Sequence, residues 1–122
     1  MNNKKMGVHI LLDLLGCPGE KLKDVETVKE ICFKTAEDAG LSTLKSTFHQ
    51  FKPHGATGTV LLAESHMHVH TWPEHKSVAA DVFCCFLNEG NIPKAKEKAE
   101  KACESLIRNF QPEEVFKDVK IR

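Results

Sequence analysis

A histidine-rich stretch near the middle of the chain holds the side chains best suited to chemistry. It reads ESHMHVHTWPEH, from Glu64 to His75, and four of its twelve residues are histidines. A transition-metal site, a nucleophilic serine at Ser65 and a polar strand surface would all fit this composition. The rest of the sequence has to decide among them.

Metal binding is the first alternative. His66, His68 and His70 alternate along the sequence, so a regular strand would present all three imidazoles on one face. Imidazole is a common transition-metal ligand, but a polar sheet face has the same pattern. No carboxylate or cysteine pattern in the sequence completes a recognised site, so we expect no bound metal.

A serine hydrolase is the second alternative. Ser65 would then need a neighbouring histidine that a carboxylate orients. The sequence has no GxSxG motif, and spacing alone assigns no acid to the orienting role. The residues leave this interpretation open without favouring it.

The bulk properties of the chain indicate one ordinary domain. Its 122 residues can build one core but not two, so we expect a single domain over residues 1–122. The 17 basic and 17 acidic side chains balance, which favours neither nucleic acid nor a membrane as a partner. Five cysteines without a CxxC pair favour a reduced, cytoplasmic protein. The N-terminal apolar run imitates a secretion signal, but His9 and Asp13 interrupt it in a way that suits a strand.

Hydrophobic periodicity predicts an α+β fold in the order β-α-β-β-β-β-α-β. The first helix runs between Asp24, a suitable N-cap, and Gly40, a suitable stop. The other predictions are strands over 6–15, 41–51, 59–65, 66–72, 77–86 and 113–121, and a second helix over 93–108. Two helices cover only one face of such an antiparallel sheet, giving a two-layer sandwich. The apolar strands favour burial of the other face in a homodimer.

The longest motif in the chain resembles a known family. LLAESHMHVHTWPEH followed by AADVFCC is similar to the processing site and catalytic loop of the prokaryotic S-adenosylmethionine decarboxylases, which depend on a pyruvoyl group. The similarity includes GVHILLDLLGC and STFHQFKPHGATG, so it covers most of the chain as far as Phe86. It implies decarboxylation of S-adenosylmethionine to the aminopropyl donor of spermidine synthesis.

The resemblance implies that the chain cleaves itself. Ser65 would attack the carbonyl of Glu64, and elimination from the resulting ester would leave a pyruvoyl group at a new N-terminus. The products would be residues 1–64 and residues 65–122. The keto group would form a Schiff base with the substrate amine and accept the electrons released with carbon dioxide.

The family pattern also implies roles for other residues. His70 would remove the α-proton during processing, and Cys85 would donate a proton after decarboxylation. Glu74 would bind the substrate ribose and Phe51 would stack on its adenine. Thr57 stands where the family usually has a serine that assists processing. His66, His68 and Trp72 would be lining or structural residues.

Three departures from the family pattern keep alternatives open. They are Thr57 in place of serine, the sequence Cys84-Cys85-Phe86 in place of Cys-Gly, and HKS at 75–77 in place of an aromatic and small residues. A pyruvoyl-dependent arginine or ornithine decarboxylase is one alternative, and an unprocessed regulatory paralogue is another. Parity adds a condition: Ser65 and His70 differ by five, so a regular strand would point them to opposite faces unless the backbone kinks near Glu64.

Overall fold

The structure is a computed structural model that describes residues 5–85 and 91–122. Its element order matches the predicted order. The elements are β1 (Gly7–Leu15), α1 (Val25–Asp38), β2 (Thr43–Gln50), β3 (Ala56–Leu62), β4 (Ser65–Trp72), β5 (Ser77–Cys85), α2 (Ile92–Phe110) and β6 (Glu114–Ile121). Phe86, with which the predicted fifth strand ended, lies outside the described residues.

One predicted boundary is wrong. The strand expected over 59–65 is β3, which begins three residues earlier, at Ala56, and ends at Leu62. Ala63 and Glu64 form a turn, and β4 begins at Ser65. Hydrophobicity runs on through Ala63, so the apolar pattern alone does not mark a two-residue hairpin turn.

The six strands form one antiparallel sheet in the order β2-β3-β4-β5-β1-β6. β3, β4 and β5 follow one another through short turns, and β1 lies between β5 and β6. This order makes β4 and β5 neighbours at the centre of the sheet. A histidine on β4 can therefore meet side chains from β1 only across β5.

Both helices pack on one face of the sheet, as predicted. In β4, Met67, Val69 and Thr71 are buried toward the helices, whereas the histidines between them are not. The same alternation continues in β5, where Val78, Ala80, Val82 and Cys84 are buried. The predicted single hydrophobic core thus lies between the helices and this face.

Both ends of α1 lie close to their predicted positions, but the side chain that caps the start is not the predicted one. Asp24 is the N-cap residue, but its side chain makes no capping hydrogen bond. The Gln50 side chain accepts the Val25 N–H at 2.7 Å instead. At the other end Gly40 has φ +70°, the left-handed conformation that commonly ends a helix.

The second face of the sheet carries no helix. Leu11, Leu61 and Phe116 on this face are 44%, 45% and 57% exposed. The histidines of β4 lie among them, so this face combines apolar and titratable side chains. Within the described residues, no helix is both long and apolar enough to cross a membrane.

Candidate active site

The Glu64–Ser65 bond lies where the chain leaves the turn and enters β4. Ser65 has φ 158°, an extended conformation, and it stands opposite the buried Cys84 in the pairing of β4 with β5. The Ser65 hydroxyl oxygen lies 3.5 Å from Nδ1 of His66, whose ring is on the uncovered face.

Cys85 contacts the carbonyl group of the same bond. The Glu64 carbonyl oxygen accepts the Cys85 main-chain N–H at 2.9 Å and the Cys85 thiol at 3.3 Å. The register of β4 against β5 pairs Ser65 with Cys84, which brings Cys85 beside the turn. An attack on this carbonyl would place negative charge on an oxygen that already has two donors, as in an oxyanion hole.

The strand register distinguishes the two adjacent thiols. Cys84 is fully buried against the helices, and burial raises its pKa to about 12. Cys85 is half-buried, whereas Cys17, Cys32 and Cys103 are buried like Cys84. Cys85 is therefore the thiol that the structure brings to the expected cleavage site.

A second cluster of predicted site residues lies at the other end of β4. Phe51, His70 and Glu74 line a cavity of about 530 Å³ together with Trp72 and Lys23. The ring of His70 lies 4.2 Å from that of Trp72 and 5.2 Å from that of Phe51, measured between centroids. An aromatic wall and a carboxylate suit a ligand with a flat ring, a positive charge or hydroxyl groups.

Gln50 supports the wall of this cavity and was not among the predicted site residues. Its amide nitrogen donates to the carbonyl oxygens of Lys23, Phe51 and Gly55, at 2.8, 3.1 and 2.8 Å. These bonds join the start of α1 to the loop after β2. A glutamine at the end of a predicted strand gives no sequence signal for such a role.

Thr57 belongs to the second cluster by its position. It is paired with His70 across β3 and β4, and its hydroxyl donates to the Val69 carbonyl at 3.1 Å. The hydroxyl thus bonds to the main chain beside His70 and has no contact with Ser65. A threonine satisfies this bond as well as a serine would.

The predicted residues therefore form two groups within one chain. Ser65 and His70 are both on β4, five residues apart, and a strand rises about 3.3 Å per residue, so they are about 16 Å apart. Glu64, Ser65 and Cys85 form one group, and Phe51, Thr57, His70 and Glu74 form the other. One copy of the chain does not bring its Ser65 and its His70 together.

The histidines of β4 do not form the metal-binding triplet that their spacing allows. His70 stacks on Trp72, whereas His66 groups with His9 on β1 and Asp81 on β5. The possible ligand atoms of His9, His66 and Asp81 lie within 4.8 Å of one another, and no other such group of three occurs in the described residues. His9 and Asp81 join His66 only through strand pairing, so their spacing in the sequence gives no signal for this group.

Within this three-residue group, His9 and Asp81 are hydrogen-bonded to each other, and His66 lies beside them. His9 Nε2 lies 2.8 Å from the Asp81 carboxylate, and His68 Nδ1 lies 3.5 Å from it. The Arg122 guanidinium group is 3.1 Å from His9 Nδ1, so a fixed positive charge opposes a metal ion there. Burial lowers the pKa of His66, and the neighbouring His68 lowers it further.

Comparisons with known proteins concern the chain as a whole. Residues 8–122 match the sequence model of the family described as S-adenosylmethionine decarboxylase. The chain is 46% identical to the S-adenosylmethionine decarboxylase proenzyme of Sulfurihydrogenibium sp. (strain YO3AOP1), over 92% of this chain and 78% of that protein. It is 45% identical to the proenzyme of the same name from Persephonella marina, over 95% of this chain and 81% of that protein.

A solved structure of an adenosylmethionine decarboxylase has a similar fold. The crystal structure of the adenosylmethionine decarboxylase from Aquifex aeolicus VF5 superposes with a TM-score of 0.88 at 38% identity. The superposition covers 98% of this chain and 92% of that chain. From the family match, the identities and the shared fold, we conclude that the chain belongs to the S-adenosylmethionine decarboxylase family.

Proposed function

We propose that this chain is a proenzyme that cuts its own Glu64–Ser65 bond, converts Ser65 into a pyruvoyl group and then decarboxylates S-adenosylmethionine. The products are carbon dioxide and decarboxylated S-adenosylmethionine, the aminopropyl donor for spermidine synthesis. The observation that carries the proposal is the pair of Cys85 donors on the Glu64 carbonyl oxygen, at 2.9 and 3.3 Å. Family membership supports decarboxylation of S-adenosylmethionine over the arginine, ornithine and regulatory alternatives.

The residues around Ser65 fit the formation of a pyruvoyl group. The hydroxyl oxygen has an imidazole nitrogen at 3.5 Å, and the carbonyl to be attacked is polarised by Cys85. Cleavage leaves residues 1–64 and 65–122 as two chains of one domain. Once formed, the keto group supplies an electrophile that binds the substrate amine and takes up the electrons of decarboxylation.

Cys85 has a second task in this proposal. Its thiol is beside position 65, so it can donate a proton to the carbon that has lost carbon dioxide. Cys84 and Cys103 are buried away from this carbon, and burial raises the pKa of each to about 12. Cys85 thus donates a hydrogen bond to the Glu64 carbonyl oxygen during cleavage and later donates a proton to the product carbon.

The cavity at the other end of β4 is the proposed substrate pocket. The Glu74 carboxylate accepts hydrogen bonds from the ribose hydroxyl groups, and the Phe51 ring stacks on the adenine. A sulfonium cation is attracted to aromatic faces, and Trp72 and Phe51 provide them in this cavity. His70, with Thr57 beside it, removes the α-proton of the ester during processing.

A homodimer unites these two groups of residues. Ser65 and His70 of one chain are about 16 Å apart along β4, so Ser65 of one copy needs His70 of another. The uncovered sheet face offers the surface for this contact, because Leu11, Leu61 and Phe116 are 44% to 57% exposed there. Burying such side chains against a second copy is favourable by about 25 cal/mol per Å².

The remaining parts of the proposal concern the partners and the cellular location of the enzyme. Equal numbers of acidic and basic residues, 17 of each, favour a small-molecule substrate without a nucleic-acid partner. Five cysteines that are free in the structure fit a reducing cytoplasm. No metal takes part in the proposed reaction.

Intact mass and carbon dioxide release test the proposal together. The purified chain should convert to a fragment of residues 1–64 and a fragment beginning with a pyruvoyl group at position 65. It should then release carbon dioxide from S-adenosylmethionine and none from arginine or ornithine. Ser65→Ala is the control, which should stay full-length and inactive.

Each alternative predicts a different result in these experiments. Turnover of an amino acid without turnover of S-adenosylmethionine would contradict the proposed substrate. A wild-type chain that stays full-length after prolonged incubation would favour the regulatory alternative. Sedimentation velocity tests the dimer, and a monomer at working enzyme concentration would contradict the two-chain site.

A further inference from the structure

The Ser65 hydroxyl needs a base before it can attack the Glu64 carbonyl, because a neutral hydroxyl is a weak nucleophile. We propose that His66 is this base, a catalytic residue that accepts the Ser65 hydroxyl proton during chain cleavage. The inference rests on the proposed function, since it assigns a role within the same cleavage reaction. This role replaces the lining or structural role predicted for His66 from the family pattern.

The contacts of Ser65 single out His66. Its Nδ1 lies 3.5 Å from Ser65 Oγ, and no other side chain in the described part of the protein makes a hydrogen bond to that hydroxyl. The Glu64 carboxylate is turned elsewhere, because it accepts the main-chain N–H of Ser42 at 3.1 Å. His70 of the same chain is about 16 Å away.

Neighbouring rings hold the His66 imidazole in place. Its centroid lies 5.0 Å from that of His68, 5.6 Å from that of Phe83 and 6.1 Å from that of His9. Rings from β1, β4 and β5 therefore contact it from several sides. A base held in position needs little reorganisation when the hydroxyl attacks.

The surroundings of His66 favour the neutral imidazole that a base requires. Burial lowers its pKa, and His68 on the same strand lowers it further. Asp81 on β5 raises the pKa in part, while His9 on β1 and Arg122 after β6 lower it. At neutral pH the ring is therefore mostly unprotonated and can accept a proton.

The proposed step conserves atoms and protons. His66 Nδ1 accepts the proton of Ser65 Oγ while that oxygen forms a bond to the Glu64 carbonyl carbon. The bond from that carbon to the Ser65 nitrogen then breaks, and the imidazolium returns the proton to the nitrogen. The result is an ester isomer of the chain with His66 neutral again, and Cys85 holds the oxyanion in between.

The test compares cleavage rates of the full-length chain. His66→Asn keeps an acceptor oxygen near the position of Nδ1 but cannot take a proton, and His66→Gln is a second variant. Both should slow the loss of full-length mass by at least about 100-fold, the lower range for a general base. His75→Gln is the matched control, because His75 is an exposed histidine beyond the other end of β4, and it should cleave at close to the wild-type rate.

Hydroxylamine identifies the step that is slowed, because it cuts esters and leaves this amide intact. Addition of hydroxylamine to His66→Asn should leave the chain whole, since no ester forms. Cutting at Glu64 would mean that the ester forms and a later step fails, which would overturn the inference. Circular dichroism and urea unfolding show whether each variant is folded.

The pH dependence of wild-type cleavage gives a measurement that needs no variant. The rate constant should fall as the pH drops through the His66 pKa, which lies below its ordinary value of about 6.5. A rate constant that does not fall as His66 becomes protonated, with the ring titration followed by NMR in the uncleaved Ser65→Ala chain, would overturn the inference, as would cleavage of His66→Asn at the wild-type rate. Absence of cleavage in the wild-type chain would instead contradict the proposed function itself.

Discussion

Cys85 contacts the bond that is expected to break through both its main-chain N–H and its thiol. Its neighbour Cys84 is paired opposite Ser65 but is buried on the other side of the strand. The sequence Cys84-Cys85 did not show which thiol faces the site, because shifting the register by one residue exchanges the two. The pairing of β4 with β5 fixes that choice.

Thiol reactivity provides a prediction at this scale. In the native protein at about pH 8, iodoacetamide should alkylate Cys85 first, because thiolate formation and access both control the reaction. Burial raises the pKa of Cys17 to about 11 and that of Cys32 to about 12, so these thiols should react slowly. Peptide mass mapping measures the order of labelling.

A denatured sample is the control for this experiment. In concentrated urea all five cysteines should react at similar rates, since burial no longer protects any of them. Labelling of Cys84 before Cys85 in the native protein would contradict the register of β4 and β5.

At the scale of elements, the two helices are joined by a small polar cluster. The Ser105 hydroxyl donates to Asp38 at 2.9 Å, and Arg108 donates to the same carboxylate at 3.3 Å. The hydrogen bond from Ser105 is the largest cause of a lowered Asp38 pKa, and the charges of Lys34 and Arg108 contribute. The folded state therefore holds Asp38 as a carboxylate.

Acid should weaken this cluster. Because the folded-state pKa of Asp38 is lowered, its contribution to stability is complete above the ordinary pKa of about 3.9 and disappears as the pH falls through the folded-state value. Asp38→Asn should lower the urea midpoint at pH 6, and the difference from wild type should shrink toward pH 2.5. Urea unfolding at several pH values measures this.

The control for acid unfolding is Asp24→Asn, because the Asp24 side chain makes no capping hydrogen bond. It should change the free energy of unfolding by less than about 0.5 kcal/mol at either pH, as is usual for surface substitutions. An Asp38→Asn difference that stays constant from pH 6 to 2.5 would contradict the charged interaction.

The helix α2 packs on the sheet through small side chains. Ala95, Ala99 and Ala102 are at most 1% exposed, so the helix backbone approaches the strands closely. Ala99→Leu should lower the free energy of unfolding by about 1–3 kcal/mol, because extra carbon atoms have no space there. Lys96→Leu, at an exposed position of the same helix, should have little effect on urea unfolding.

At the scale of the whole molecule, the separation of Ser65 and His70 determines what an active enzyme requires. If Ser65 of one copy works with His70 of another, two inactive variants should complement each other. A mixed dimer of Ser65→Ala and His70→Ala contains one site with both wild-type residues. Random mixing makes half of the dimers mixed, so about one quarter of the wild-type sites should form.

Co-expression of the two variants tests this complementation. Pyruvoyl-bearing fragment and carbon dioxide release should both reach about one quarter of wild type, whereas either variant alone should give none. Each variant mixed with itself is the control. No activity in the co-expressed sample, together with active wild type, would contradict a site shared between two copies.

Much of the fold follows from local patterns in the sequence. Alternation of apolar residues predicts which side of β4 faces the helices, and Gly40 marks the end of α1 because it is suited to the left-handed conformation there. The histidines of β4 lie on one face for the same reason. The long motif around Glu64 and Ser65 predicts the family, and the comparisons confirm it.

Other features depend on which strands become neighbours. His9, His66 and Asp81 come together only because β1, β4 and β5 are adjacent in the sheet. In the sequence, His9 is more than fifty residues from His66, and His66 is fifteen residues from Asp81. Cys85 meets the Glu64 carbonyl through the same pairing. Pairing partners and register are set by long-range packing, which local periodicity does not encode.

The sequence by itself determined the type of chemistry, since the Glu64–Ser65 motif and its histidine and cysteine are contiguous or nearly contiguous patterns. Only the tertiary structure decided how these residues are distributed: Cys85 and His66 lie at the Glu64–Ser65 bond, whereas His70 and Glu74 line a cavity at the far end of β4. The physical reason is that a strand is extended, so residues that are close in the motif become distant in space.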